Sequence, residues 1–363
     1  MSSFLTSLIY GIKRKFNPKD HPVLNTIDDI TPEIIEGIAN NSIKSLTINY
    51  DTNFVDLEED KNISPYAKKV KGTSPFEIAQ RFNKGKKKIT KITFKILLGK
   101  KVRYLTALFR NLRYLKEAPF FDTSNVTDMV SMFERAKSLE IVPKYETSNV
   151  LKMDTMFYGC EKLKTIPVLD TSNVRSMSGM FDSAKSLRTI PPLNTKNVRE
   201  MFNMFSDATS LETIPLIDTG NVLNMAMMFT GCTSLKSVPL LDTKNVMDMA
   251  CMFCECSSLG KVPLFNTSKV KDMGGMFSDA TSITSVPLFD TSLVEDMEGM
   301  FENARSLLDV PNFNMRSVKT AECMFKDAIL LRSVPEFKLR RGAKTKDMFK
   351  GANSLKPLPK FYQ

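Results

Sequence analysis

The chain has 363 residues, 42% hydrophobic and 25% charged, enough apolar material for an extensive core and unlike the composition of a disordered polypeptide. Lys and Arg outnumber Asp and Glu by 51 to 40, a formal net charge of +11. No apolar run approaches the roughly 18 residues of a membrane-spanning helix, and a single His leaves little for imidazole-based catalysis.

Residues 1–27 read as an N-terminal arm. MSSFLTSLIYGIKRKF carries its apolar stretch before its positive charges, the reverse of a secretory signal, and shows no lipobox Cys. The expectation is a short amphipathic helix or docking arm, with a membrane-surface helix as the alternative.

Residues 28–94 hold two related units. Thr31-Pro32-Glu33 and Ser74-Pro75 with Glu77 each pair an N-cap hydroxyl with Pro at the first helical position and an early Glu, so each predicts a helix start. SIKSLTI at 42–48 and KITKITF at 88–94 follow and predict strands. Such divergent units are expected to cap a repeat array, whose end must close off its core. Between them, residues 50–74 predict a polar, irregular excursion.

From residue 95 to 363 the chain reads as one degenerate and ten regular repeats of 24 residues. Val102, Leu105, Leu108, Phe109, Leu115 and Pro119 stand 24 residues before Val126, Met129, Met132, Phe133, Leu139 and Pro143. Met132-Phe133 then recurs in register to Met348-Phe349, ten times. The column from Ala136 to Ala352 admits only Ala or Cys, which requires close packing there. Asp122-Thr123 and their equivalents predict turns whose short polar side chains bond back to their own backbone. A unit of 24 residues cannot bury an apolar face alone, so the units must stack into a solenoid. Ten coils about 4.8 Å apart make a rod on the order of 50 Å long. Within each coil, Leu-x2-Val-Pro predicts a strand, Val-x2-Met a second, and the stretch from Met-Phe to Ala/Cys a helical turn. The fold class is thus an α/β repeat, a solenoid of stacked 24-residue coils with a divergent N-terminal capping region.

The pattern D-T-S-N-V-x-x-M-x-x-M-F-x-x-[CA]-x-S-L resembles the BspA-like leucine-rich repeat surface proteins, in their Met-Phe-rich branch. The resemblance implies a leucine-rich-repeat-like fold and a binding role, often adhesion, in bacterial surface proteins and occasionally in phage or protist proteins.

Charge is uneven along the chain. Residues 81–116 hold thirteen Lys and Arg and no acid, and 338–360 hold eight against Asp347 alone, whereas 121–336 hold 21 basic and 27 acidic residues. Lys84, Lys86, Lys87, Lys88, Arg340 and Arg341 are therefore a candidate patch for an anionic partner. Few aromatics interleave with these clusters, which disfavours nucleic acid relative to an acidic protein or a solvated face.

Three of six Cys, at 160, 232 and 256, occupy the Ala/Cys core column. The group Cys251, Cys254, Cys256 lacks paired zinc-type spacing and a nearby His, so no metal or cofactor is expected and the thiols read as reduced. A Ca²⁺ ladder on the turn aspartates is the sharper alternative, but Asn194, Asn266, Asn314 and Lys338 interrupt it. No catalytic set or phosphate-binding motif occurs.

Recognition would then fall to outward columns that vary. One runs Thr127, Leu151, Arg175, Arg199, Leu223, Met247, Lys271, Glu295, Lys319, and the other includes Asp154, Ser178, Phe202 and Ala226. Leu151, Arg175, Arg199, Phe202, Leu223 and Met247 are the candidate binding residues. The reading is a non-enzymatic scaffold that binds a protein or surface glycan. A phage virion or tail component and an intracellular effector or adaptor are the alternatives. A homo-oligomer or larger assembly is open, and so is the compartment: cell surface, cytoplasm or virion.

Overall fold

The computed structural model describes residues 21–50, 56–58, 69–71, 74–82 and 88–362, so most of the arm read at 1–27 lies outside the described residues. Strand β1 (Val23–Leu24) leads through a short 3-10 turn (Ile27–Asp29) to helix α1 (Pro32–Asn40) and strand β2 (Ser45–Ile48). The predicted start of α1 is present: Thr31 Oγ1 accepts the Ile34 amide at 3.4 Å, and Asn41 ends the helix in the left-handed region, φ 57°. Helix α2 (Pro75–Phe82) starts the same way, with the Glu77 amide donating to Ser74 Oγ at 3.0 Å. The Glu77 carboxylate is buried between Arg81 and Arg110, which ties α2 to the first coil.

Residues 50–74 depart from the irregular excursion predicted there, because β3 (Asp56–Glu58) and β4 (Lys69–Lys71) pair antiparallel. The second predicted strand is displaced. β5 is Lys95–Leu98, in parallel register with β2, and 88–94 contributes only a bridge from Lys91 to Glu117. The alternation did not stop at Phe94: Ile92, Phe94 and Ile96 are all buried, so the inward face continues past the predicted boundary. The sheet order β1-β2-β5 places these elements parallel and side by side, in the direction in which the coils then stack.

The coils themselves form a repeat solenoid held by an alternating backbone pattern. Met129, Ser131, Phe133 and Arg135 donate along the stack to Lys152, Asp154, Met156 and Tyr158 carbonyls at 2.6–3.1 Å. The amides between them close turns inside the coil: Met132 to Met129, Glu134 to Ser131 and Ala136 to Phe133, at 2.9–3.2 Å. The pattern returns every 24 residues, down to Cys323, Phe325 and Asp327 donating to Lys346, Met348 and Lys350. In this way a chain with little regular secondary structure still partners its buried amides.

Two positions per coil take positive φ. The column at 131 includes Thr155 (52°), Met227 (57°) and Cys251 (54°), and the column at 135 includes Asp207 (54°), Gly231 (70°) and Glu255 (59°). Each is the third residue of an i to i+3 turn, the signature of a type II turn. The predicted helical turn from Met-Phe to Ala/Cys is therefore a chain of β-turns, because a residue at positive φ cannot continue a right-handed helix.

Parallel bridges run from Tyr104 through Asp128 and every twenty-fourth residue to Lys344, at the position predicted as the second strand. At Leu-x2-Val-Pro, the position predicted as the first, bridges occur only at Lys91, Glu117 and Ile141 and between Asp309 and Ser333.

One apolar core runs from Leu24 to Leu355. Rings from Phe109 to Phe349 stack with centroids 5.3–5.8 Å apart, within the range of offset aromatic pairs. Burying each is worth about 1.5–3 kcal/mol relative to exposure. Tilted rings meet both ends of this ladder, Phe76 over Phe109 and Phe361 and Tyr362 over Phe349.

The polar corner does more than the sequence suggests. Asp122, Asp170, Asp218 and Asp290 accept the amide two residues on, at 2.9–3.0 Å, as expected of such turns. The threonines behave differently. Buried Thr123, Thr171, Thr195, Thr219, Thr243, Thr267 and Thr291 each donate Oγ1 to a carbonyl of the next coil at 2.6–3.0 Å. They reach across because their own turn already has the Asp oxygen as its acceptor.

Candidate binding faces

The column from Thr127 to Lys319 lies at the surface along a continuous backbone ladder. Arg175 donates its amide to Leu151, Arg199 to Arg175, Leu223 to Arg199, Met247 to Leu223 and Lys271 to Met247, at 2.9–3.0 Å. Leu151, Arg175, Arg199 and Met247 are exposed and Leu223 is half-buried, so the structure brings these five together in one row at constant spacing. Lys319 pairs with Glu295 in the adjacent coil of the same row.

Phe202 does not join them. It is 7% exposed and lies between the buried Ser178 and Ala226 of the neighbouring coils, whose small side chains leave room for its ring. That column is the second residue of a type II turn and is partly enclosed, so its variation reflects local packing rather than a free face.

Of the candidate basic patch, Lys84, Lys86 and Lys87 lie outside the described residues. Lys88 is exposed with Nζ 4.2 Å from the centre of the Tyr114 ring. Arg340 and Arg341 are exposed in the last coils, at the other end of the bridge series, so they do not form one patch with Lys88.

The core thiols are free. Cys160, Cys232 and Cys256 point at the Phe133, Phe205 and Phe229 carbonyls at 3.0–3.3 Å, and burial pushes all three thiols well up from their ordinary value. Among the described residues no group of three or more His, Cys, Asp or Glu is arranged to hold a metal ion, and no helix is long and apolar enough to cross a membrane. Carboxyl groups with raised pKa are present: burial, reinforced by Asp207, pushes Asp182 up to about 7, and burial raises Asp154, Asp248 and Asp272, the last two being bridged neighbours in one column.

Sequence reasoning missed a third column, Val168, Pro192, Leu216, Leu240, Leu264 and Leu288, which is exposed throughout. Its signal was available, since each of these residues directly follows the repeat proline.

These features define a repeat solenoid with long surface rows. Residues 76–191, 103–214, 163–264, 188–285 and 260–360 match the family described as Mycoplasma protein of unknown function, DUF285. The matches overlap across most of the chain, which therefore belongs to that family. No curated protein matches it. Among solved structures, it is similar to a leucine-rich repeat protein from Eubacterium ventriosum, with 16% identity, 74% of this chain and 85% of that one covered, and a TM-score of 0.42. It is also similar to a leucine-rich cell surface protein from Faecalibacterium prausnitzii, at 16% identity, 69% and 81% coverage and a TM-score of 0.35. The T. pallidum leucine-rich repeat protein gives 21% identity, 44% and 72% coverage and a TM-score of 0.34.

Proposed function

We propose that the chain is a non-enzymatic, BspA-like binding scaffold that recognises a protein or a surface glycan through the row from Thr127 to Lys319. The observation that supports this is a fixed ladder of backbone hydrogen bonds carrying side chains that change from coil to coil. A regular frame with variable outward groups is what an extended recognition surface needs. Within this reading the helix–strand units read at 28–94, with β1 and β5 just outside those bounds, cap the stack, since β1, β2 and β5 pair in parallel and their side chains join its core.

The test is binding of the purified protein to a glycan array and to extracellular protein fractions, beside the variant Leu151→Ser/Arg175→Glu/Met247→Ser. All three positions are exposed, so thermal unfolding is expected to stay unchanged while the retained ligand is lost. Retention equal to wild type would contradict the assignment of this row.

A further inference from the structure

Cys251 and Cys254 are the ends of one β-turn. The Cys254 amide donates to the Cys251 carbonyl at 3.1 Å, with Met252 and Phe253 as the central residues. Such a turn holds its first and last Cα within about 7 Å of each other, and a disulfide bridges Cα atoms about 4.4–6.8 Å apart. The Cβ spacing fits as well. Gly179 and Gly299 hold the place of Cys251 in other coils, and a Cβ on each would lie 3.9 Å from the Cβ of Asp182 and of Glu302, which hold the place of Cys254. A disulfide joins Cβ atoms about 3.5–4.5 Å apart.

Both thiols are free and half-buried, and they hydrogen-bond to each other. Gly275 in the next coil gives the Cys251 sulfur its space, since a Cβ there would lie 2.9 Å from Sγ. The other four cysteines do not compete. Cys160, Cys232 and Cys256 are buried with their thiols turned to core carbonyls. Cys323 stands in the column of Cys251 but three coils further along, roughly 14 Å away at about 4.8 Å per coil. The hydrogen bond from Cys254 holds Cys251 below the ordinary thiol range, although burial, Asp272 and Asp248 act against it, and the same bond together with burial pushes Cys254 up. The first thiolate of the pair therefore forms on Cys251, and the thiolate is the nucleophile towards an oxidant.

We propose that Cys251 and Cys254 are an oxidation site at which a hydroperoxide closes a reversible disulfide. The Cys251 thiolate attacks a peroxide oxygen and the O–O bond breaks. With hydrogen peroxide, the hydroxide released takes up the proton that Cys251 gave to solvent, leaving a sulfenic acid and one water. The Cys254 sulfur then attacks the Cys251 sulfur, the S–O bond breaks, and the departing hydroxide leaves with the Cys254 proton as a second water. Two electrons pass from the thiols to the peroxide, and a dithiol returns them. The bridge spans a turn that the backbone has already closed, so it forms without moving the coils. Neither cysteine belongs to the recognition row, so the proposal stands or falls independently of the ligand face.

The test treats the reduced full chain with equimolar hydrogen peroxide, counts thiols after unfolding in guanidinium and maps the peptides by mass spectrometry. Two of the six thiols are expected to be lost, to a bridge between Cys251 and Cys254 of one molecule that a dithiol reopens. Cys256→Ala, the residue most common in that column, should leave the bridge intact. Cys254→Ser should form no bridge and hold at Cys251 a sulfenic acid that dimedone traps, whereas Cys251→Ser should spare Cys254. Both side chains are half-buried, so neither serine variant is expected to change thermal unfolding. Six thiols surviving peroxide, a bridge to Cys256 or between molecules, or no dimedone adduct on Cys251 in Cys254→Ser would overturn the proposal.

Discussion

At the scale of the residue, the fold depends on two left-handed positions per coil, and these are filled by unequal side chains. Gly231 has φ 70°, and a Cβ there would lie 2.4 Å from Asp207 Oδ1. Gly231→Ala is expected to destabilise by about 2 kcal/mol from the left-handed penalty and the contact together. Met227 occupies the equivalent conformation with a partly exposed side chain, so Met227→Gly should be neutral or stabilising by up to about 1 kcal/mol. Urea unfolding of the two variants checks both signs. Asp182 supplies a pH dependence. Its folded pKa, about 7, lies above the ordinary Asp value of about 3.9, chiefly through burial, so its stabilising contribution is present below about pH 4 and is lost as pH rises through 7. Asp182→Asn should therefore unfold at higher temperature than wild type at pH 8, by up to about 4 kcal/mol in stability, and lose that advantage near pH 4. The buried columns were legible in the sequence because burial restricts a position to one chemical type. The left-handed columns were not, because Thr155, Met227 and Cys251 stand where glycine would have signalled the turn.

At the scale of the element, the coil is held across its corner by threonine hydroxyls as well as by backbone amides. Thr219 Oγ1 donates to the Asp242 carbonyl at 2.9 Å, whereas buried Thr147 Oγ1 has no hydrogen-bond partner among the described residues. Thr219→Val should cost about 1 kcal/mol by removing this bond and leaving the Asp242 carbonyl short of a donor. Thr147→Val should cost nothing or stabilise slightly, since it removes an unpaired hydroxyl. Thermal denaturation of the matched pair, read by circular dichroism, separates the two. The helix starts at Thr31 and Ser74 could be read in advance because capping is a local matter of three residues. The ladder at Val-x2-Met was also read in advance, but not that it, rather than Leu-x2-Val-Pro, would be the one that runs through every coil. The surface rows were half legible. Regular spacing identified the Thr127 row, but side-chain type alone could not show that Phe202 turns inward beside Ser178 and Ala226.

At the scale of the whole molecule, each coil touches only its neighbours, and like side chains lie on like from Phe109 to Phe349. Stability should then be a sum of coil and interface terms, and the register of the stack should matter more than its length. The proposed recognition row depends on that register, because it exists only if every twenty-fourth residue comes to the same place. Removing one full coil and removing half of one test this directly. Deletion of residues 217–240 should leave a protein that still unfolds in a single cooperative thermal transition close to wild type, whereas deletion of residues 217–228 should abolish that transition. Equal stability of the two deletions, or loss of folding in the full-coil variant alone, would contradict a stack built on a 24-residue period.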